Sequence, residues 1–214
     1  MKKIILVLIS VIFLVNYSFA QENNTDFRDR LQLGLKIGAN YSNVYDTKGE
    51  EFHSDAKFGL ATGFFLAIPI GKYLGIQPEI LFSQKGFHAK GIILSNSYDL
   101  TRTTSYLDVP LLFSLKPSEF LTLLAGPQYS YLLKQKDVFS NAATSIEQEQ
   151  EFDNDNIRKN TLCVLSGIDI NLNHVLVALR VGWDIQNNNE NGTSTTPRYK
   201  NVWYQATLGY RFYN

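Results

Sequence analysis

Polar and apolar residues alternate along most of this chain, with the period of a β-strand rather than of a helix. From Leu31 to Tyr41, the residues Leu31, Leu33, Leu35, Ile37, Ala39 and Tyr41 fall on one side. Gln32, Gly34, Lys36, Gly38 and Asn40 fall on the other. A second run sets Phe58, Leu60, Thr62, Phe64, Leu66 and Ile68 against Lys57, Gly59, Ala61, Gly63, Phe65 and Ala67. Six further runs cover about 73–85, 105–115, 120–134, 161–171, 174–187 and 201–213. Most exceed the ~5–6 residues of an average soluble strand and reach the ~9–11 that a tilted strand needs to cross a bilayer.

The breaks between runs alternate in length. Tight turns fall near Gly71-Lys72, Pro117-Ser118-Glu119 and Asn171 to His174, and long polar segments near 43–55, 86–104, 135–160 and 188–200. Three short and four long connections join eight antiparallel strands and leave both chain ends on the short-turn side. The expected fold is therefore all-β: an eight-stranded antiparallel up-and-down transmembrane β-barrel with short periplasmic turns and long extracellular loops. Pairing of the first strand with the last would remove the open edge that lipid does not tolerate.

Charge placement follows from that fold. Val175, Val177, Leu179, Val181, Trp183 and Ile185 alternate with Leu176, Ala178, Arg180, Gly182, Asp184 and Gln186. An Arg facing hydrocarbon at mid-depth costs about 2–4 kcal/mol, so the charged set is expected to face inward. Lys36, Glu79, Asp108, Asp169, Arg180, Asp184 and Arg211 all fall on the polar faces. They are expected to form a structural polar network in the barrel interior, with Lys36, Glu79 and Arg180 nearest mid-depth. Acid–base catalysis is the alternative use of such groups. Eight strands enclose a space just wide enough for their own side chains, which favours polar filling and disfavours a through-pore.

The chain ends add a destination. Met1-Lys2-Lys3, the apolar run Ile4 to Val15 and the small residues of Ser18-Phe19-Ala20 form a signal peptide over 1–20, cleaved after Ala20. A short periplasmic segment, 21–30, would then precede the barrel domain, 31–214. The last run ends in Phe212, as the C-terminal signals read by barrel-assembly machinery do, although Tyr213 and Asn214 follow it. The expected location is the cell outer membrane, and the expected partners are outer-membrane lipid, the barrel-assembly machinery and an unidentified envelope or surface partner. A formal net charge of zero carries no footprint for nucleic acid. The single cysteine, Cys163, excludes an internal disulfide.

Three segments carry a family resemblance: Gly75-Ile76-Gln77-Pro78-Glu79-Ile80-Leu81-Phe82-Ser83-Gln84-Lys85-Gly86, Tyr106-Leu107-Asp108-Val109-Pro110-Leu111-Leu112 and Ala125-Gly126-Pro127-Gln128-Tyr129. Together with the Gly-rich first strand and the signal peptide, they resemble the PorT-type outer-membrane β-barrel family common in Bacteroidetes, over about residues 30–214. The resemblance implies an outer-membrane barrel. Some family members are tied to protein secretion, most have no assigned activity, and the family offers no catalytic motif. The same segments place Pro78, Pro110 and Pro127 inside three consecutive strands, where proline cannot donate to the ladder. Bulges or a deformed wall are expected there, with a lateral opening into the bilayer as a further reading.

Other chemistry is sparse. His53 and His88 fall in different predicted exterior loops and His174 at a periplasmic turn, so no two histidines have ligand spacing, and neither metal nor cofactor is expected. No phosphate-cradling, HExxH or nucleophile-elbow motif occurs. Cys163 reads as a small strand residue. Glu147, Glu149, Glu151, Asp153 and Asp155 read as a solvated loop. A structural or interaction barrel is the leading function. The alternatives are an enzyme acting on lipid or peptide at the rim, with Tyr106, Asp108 and Asp184 as candidates, and a soluble periplasmic lipocalin-like carrier.

Overall fold

The computed structural model describes residues 26–48, 53–93, 96–141, 145–150, 157–189 and 198–212. The expected signal peptide and its cleavage point lie outside these residues, as do Glu151, Asp153 and Asp155. The described residues form β1 (Gln32–Lys48), β2 (His53–Pro69), β3 (Leu74–Ile93), β4 (Asn96–Leu115), β5 (Leu121–Asn141), β6 (Ser145–Gln150), β7 (Asn160–Leu172), β8 (Val175–Asp184) and β9 (Arg198–Phe212). Every strand pair is antiparallel, and β1 pairs with both β2 and β9, which closes the sheet on itself. The ring runs β1-β2-β3-β4-β5-β7-β8-β9.

The ninth strand does not enlarge that ring. β5 pairs with β6 up to Gln135↔Gln150 and with β7 from Tyr131↔Asn160. Between those pairs β5 advances four residues while its partner advances ten. β6 and β7 thus occupy one place in the wall, and the barrel has eight staves.

The three tight turns fall where alternation predicts them. Asn173 in the β7–β8 turn has φ 52°, a left-handed conformation that asparagine tolerates better than most residues and that a two-residue hairpin requires. At the other end the structure departs from expectation. Segments 43–55, 86–104 and the described first part of 135–160, read as loops, are largely strand, with Glu147 and Glu149 on β6, and β3, β4 and β5 reach 20, 20 and 21 residues. Backbone pairing continues without an apolar outer face because water bathes that surface. Val44, Phe87, Ala89 and Tyr199, with Leu100 against them, form a small core behind it. His53 and His88 are consequently strand residues. The predicted run 174–187 is shorter as a strand, ending at Asp184.

The prolines correct a second expectation. Register shifts occur between Tyr45 and Lys48, between Ala56 and Ala61, and between Ser105 and Tyr106, none of them at a proline. Pro78 stays in register with Leu111, Pro110 with Gln128 and Pro127 with Val164. Each proline keeps its place in the ladder toward the following strand. No extra residue and hence no bulge occurs at these positions; the wall is instead locally altered, because pairing toward the preceding strand lapses beside each proline, at Leu66 and Ala67 on β2, Glu79 and Ile80 on β3, and Leu111 and Leu112 on β4.

The outer face of the lower ring is apolar: Leu35, Ile37, Phe64, Ile80, Leu111, Phe113, Leu179 and Leu208 are all exposed. Aromatics mark both borders of this band, with Tyr41, Phe58, Tyr129 and Tyr204 toward the long strands and Tyr73, Phe120, Tyr210 and Phe212 toward the tight turns. Inside, small residues stand opposite large ones. A Cβ on Gly182 would lie 2.3 Å from the Trp203 indole, and one on Gly34 would lie 2.4 Å from the Phe65 ring. These two glycines make room for two of the largest buried side chains in the lumen.

Gly182→Val should therefore overpack the lumen and destabilise the barrel by about 1–3 kcal/mol. The check is the temperature at which the folded gel band of detergent-solubilised protein converts to the unfolded one. An unchanged conversion temperature would contradict the packing described.

Candidate functional site

The interior polar groups organise in tiers along the barrel axis. At mid-depth Lys36 on β1 and Glu79 on β3 form a buried ion pair, and Gln77 Nε2 donates to Glu79 Oε1 at 2.8 Å. Arg180 on β8 stands 2.6 Å from the Asp169 carboxylate of β7 and 3.8 Å from Glu79. Four of the seven sequence-selected residues, Lys36, Glu79, Asp169 and Arg180, thus converge from strands on opposite sides of the lumen. Their side chains are at most 1% exposed.

The next tier belongs to Asp108, whose carboxylate lies 3.2 Å from Lys85 Nζ. The Lys85 ammonium also sits 3.7 Å from the Trp203 ring centroid, so its charge is held by a carboxylate and an aromatic face together. Asp184 faces different partners. It accepts from Asn201 N at 3.0 Å, from Asn201 Nδ2 at 2.6 Å and from Cys163 Sγ at 3.1 Å. Arg211 lies near the tight-turn end, where it donates to Asn171 Oδ1 and to the Asn173 carbonyl.

Several members of this network were not selected from the sequence. Lys85 shares the parity of Glu79 on β3 and was legible by the same rule. Arg102 and Asp137, joined by two hydrogen bonds of 2.8 and 2.7 Å, fall in stretches read as loop, and Tyr199 Oη accepts a third bond from Arg102 at 3.2 Å. The aspartate and tyrosine beside Arg102 raise the pKa of its guanidinium above its ordinary value against the opposing effect of burial. On β9, Trp203 Nε1, Gln205 Oε1 and Thr207 Oγ1 find no protein partner among the described residues, a strip suited to bound water.

The rim-enzyme candidates come together only in part. Tyr106 and Asp184 border a chamber of about 10 Å³ at the long-strand end of the lumen, together with Arg102, Tyr199 and Asn201. That space holds about one water molecule. Asp108 is 1% exposed and engaged by Lys85. Cys163 is fully buried. Among the described residues no three His, Cys, Asp or Glu side chains stand together as a metal site.

His174 occupies its predicted turn, where its ring stacks on Tyr210 and Nδ1 donates to the Arg211 carbonyl at 3.2 Å. His88 pairs in register with Asp55 and shares a 2.8 Å hydrogen bond with Thr101 Oγ1, and His53 pairs with Lys90. The two histidines expected in separate loops therefore lie on adjacent strands.

Below the tight-turn end, the residues before β1 fold against the barrel. Asp26 binds Arg28 at 2.8 Å and Lys72 at 3.0 Å, while Lys116 Nζ donates to the Arg28 carbonyl at 2.7 Å. Hydrogen bonding from Arg28 is the largest influence on Asp26 and, with help from Lys72, holds its carboxyl well below the usual range despite some opposing desolvation.

A closed ring with an apolar outside, aromatic borders and a charge-filled interior defines an outer-membrane β-barrel, since lipid admits no unpaired strand edge. Comparison with known families takes this further: the outer membrane protein beta-barrel domain family matches residues 19–190, and the chain belongs to it. Similar solved structures include Ail, the attachment invasion locus protein of Yersinia pestis, at 15% identity and a TM-score of 0.46 over 85% of this chain and 98% of that one. Neisserial surface protein A follows at 11%, 0.45, 84% and 97%, and OprG of Pseudomonas aeruginosa at 14%, 0.44, 86% and 96%, in the same order. No curated protein sequence matches. The tight-turn end is the periplasmic one and the long strands reach the exterior.

Two outcomes follow. Lys36→Met should destabilise the barrel by about 3–5 kcal/mol, because it strands a buried carboxylate, whereas the Lys36→Met/Glu79→Met double variant should cost less. Urea unfolding followed by tryptophan fluorescence in lipid vesicles measures both, and a double variant worse than the single would contradict the pairing. For Asp26 the lowered pKa means that its stabilisation of the periplasmic segment is present above the ordinary carboxylate range and lost as pH falls through the depressed value. Hydrogen exchange at the Arg28 amide, which donates to Asp26, should stay protected at neutral pH and open only in strong acid. In Asp26→Ala, which removes the acceptor, it should be open throughout.

Proposed function

We propose that this protein is a non-enzymatic outer-membrane barrel with a structural or surface-interaction role, exported by a signal peptide cleaved after Ala20. The observation that carries the reading is the contrast between its two halves. Among the described residues the lumen is occupied by its own ion pairs, with a chamber of about 10 Å³ at its mouth, while β3, β4 and β5 run about ten residues beyond what a bilayer crossing needs. At roughly 2.5 Å of height per tilted residue, the excess raises a sheet about 25 Å above the hydrocarbon. A filled lumen offers no route for solutes, and an extended exterior sheet offers contact area.

The resemblance to the PorT-type barrels of Bacteroidetes fits this reading, with outer-membrane lipid and the barrel-assembly machinery as general partners and an envelope or surface component as the specific one. The polar, paired lumen argues against a lipocalin-like carrier, whose interior must receive an apolar ligand. Enclosure of Asp108 and Asp184 argues against acid–base work at the rim.

The test shortens the β3–β4 hairpin by replacing residues 88–101 with a two-residue Asn-Gly turn. The variant should still reach the outer membrane, keep its heat-dependent gel shift and leave vesicles impermeable to small solutes, yet lose cross-links to surface components on intact cells. Retention of every cross-link would refute an interaction role for this sheet, and solute flux through the full-length chain would refute the closed lumen.

A further inference from the structure

The exterior sheet carries a groove on the side that faces along the membrane rather than away from it. The β3–β4 register is unbroken from Leu74↔Leu115 to Ile93↔Asn96, so alternation on these strands never changes sides. Ile80, Phe82 and Leu107, which belong to the apolar face, are therefore continued upward by His88, Lys90, Thr101 and Asp99. Phe87, Ala89 and Arg102 between them are buried. The groove is about 330 Å³ in volume and lies among Asp55 on β2, His88 and Lys90 on β3, Asp99 and Thr101 on β4, and Val138 on β5. His88 is six residues above Phe82, hence about 15 Å above the top of the apolar face.

That position determines what the groove meets. In the outer leaflet of a bacterial outer membrane, the layer just above the acyl chains is the sugar of phosphorylated glycolipid. The groove opens sideways into it. Its chemistry suits a saccharide ring. Asp55 and Asp99 accept from sugar hydroxyls, Lys90 donates, and the imidazole and Thr101 hydroxyl do either, with Val138 as a short apolar wall. The His88 ring is held by the 2.8 Å bond between Nδ1 and Thr101 Oγ1, which leaves Nε2 as its second polar atom. The groove is a half-open surface depression, so it would hold a sugar ring against its polar wall rather than enclose it. With two carboxylates, Asp55 and Asp99, against Lys90 as its lysine, the groove is slightly anionic, which favours neutral sugar over the phosphates nearer the bilayer.

We propose that this groove binds the core saccharide of the outer-leaflet glycolipid surrounding the barrel. The inference rests on the exterior-sheet reading above and gives it one partner class.

The experiment uses the full chain folded in detergent, with two probes: a glycolipid bearing its core sugars and the same lipid A without them. Binding is read by native mass spectrometry. The core-bearing lipid should bind about tenfold more tightly than lipid A, equivalent to about 1.4 kcal/mol. Asp55→Ala/Asp99→Ala should erase that difference, leave lipid A binding unchanged and preserve the heat-dependent gel shift. Should the double variant lose its folded band, Thr101→Val, which frees the His88 ring, is expected to reduce the preference on its own. Equal affinity for the two lipids, or a preference that survives both variants, would overturn the proposal. Equally tight binding of unrelated free sugars would also overturn it, in favour of a general glycan site. Either failure with surface cross-links intact would leave the exterior sheet as an interaction surface for a different partner.

Discussion

Everything in this molecule depends on the pairing of β1 with β9. A strand edge in hydrocarbon leaves backbone N–H and C=O groups without water, at a cost of several kcal/mol for each unsatisfied group. The ladder from Leu33↔Phe212 to Lys48↔Arg198 removes that edge. It joins residues from the two ends of the described chain, so the wall is complete only when nearly the whole sequence has been placed. Once the ring closes, its two faces acquire opposite requirements. The outside must be apolar where lipid touches it, and the inside must satisfy whatever polar groups alternation puts there.

The interior meets that requirement by distributing charge in separate tiers. Lys36, Glu79, Arg180 and Asp169 share one tier, Lys85, Asp108 and the Trp203 face the next, and Arg102, Asp137 and Tyr199 the exterior mouth. Each cation of these three tiers meets an anion or an aromatic face, so the desolvation cost is met locally. The contrast with the exterior sheet is physical. The lumen is occupied by its own side chains, whereas the strands above the bilayer cover one face with the core of Val44, Phe87, Ala89 and Tyr199 and present the other to surroundings they do not fill.

The lipid-crossing half of the fold was legible because its environment imposes a strict rule: Leu35 outward, Lys36 inward and Ile37 outward can be arranged only one way in a barrel wall. The exterior half lacked that signal. His88, Lys90, Asp99 and Thr101 are polar on a surface where polarity is compatible with strand or loop, and the ladder beneath them is a backbone property that side-chain pattern does not report. Arg102 and Asp137 went unselected for the same reason. The prolines misled in the opposite direction. Each removes one donor, but Pro78, Pro110 and Pro127 sit in long strands whose flanking pairs hold the register, so a local loss required no extra residue.

The small-against-large arrangement inside the barrel has a consequence for how the sequence can change over time. A soluble core enlarged at one point can push an element outward, but a closed ring of fixed strand number has a nearly fixed cross-section. Gly182 and Trp203 are neighbours across the β8–β9 ladder, and Gly34 and Phe65 across β1–β2. Within such a pair, gain on one strand requires loss on the next. The two positions are coupled as a unit of conserved volume, and descendants of this chain can exchange the glycine and the aromatic ring between strands more readily than they can replace either alone.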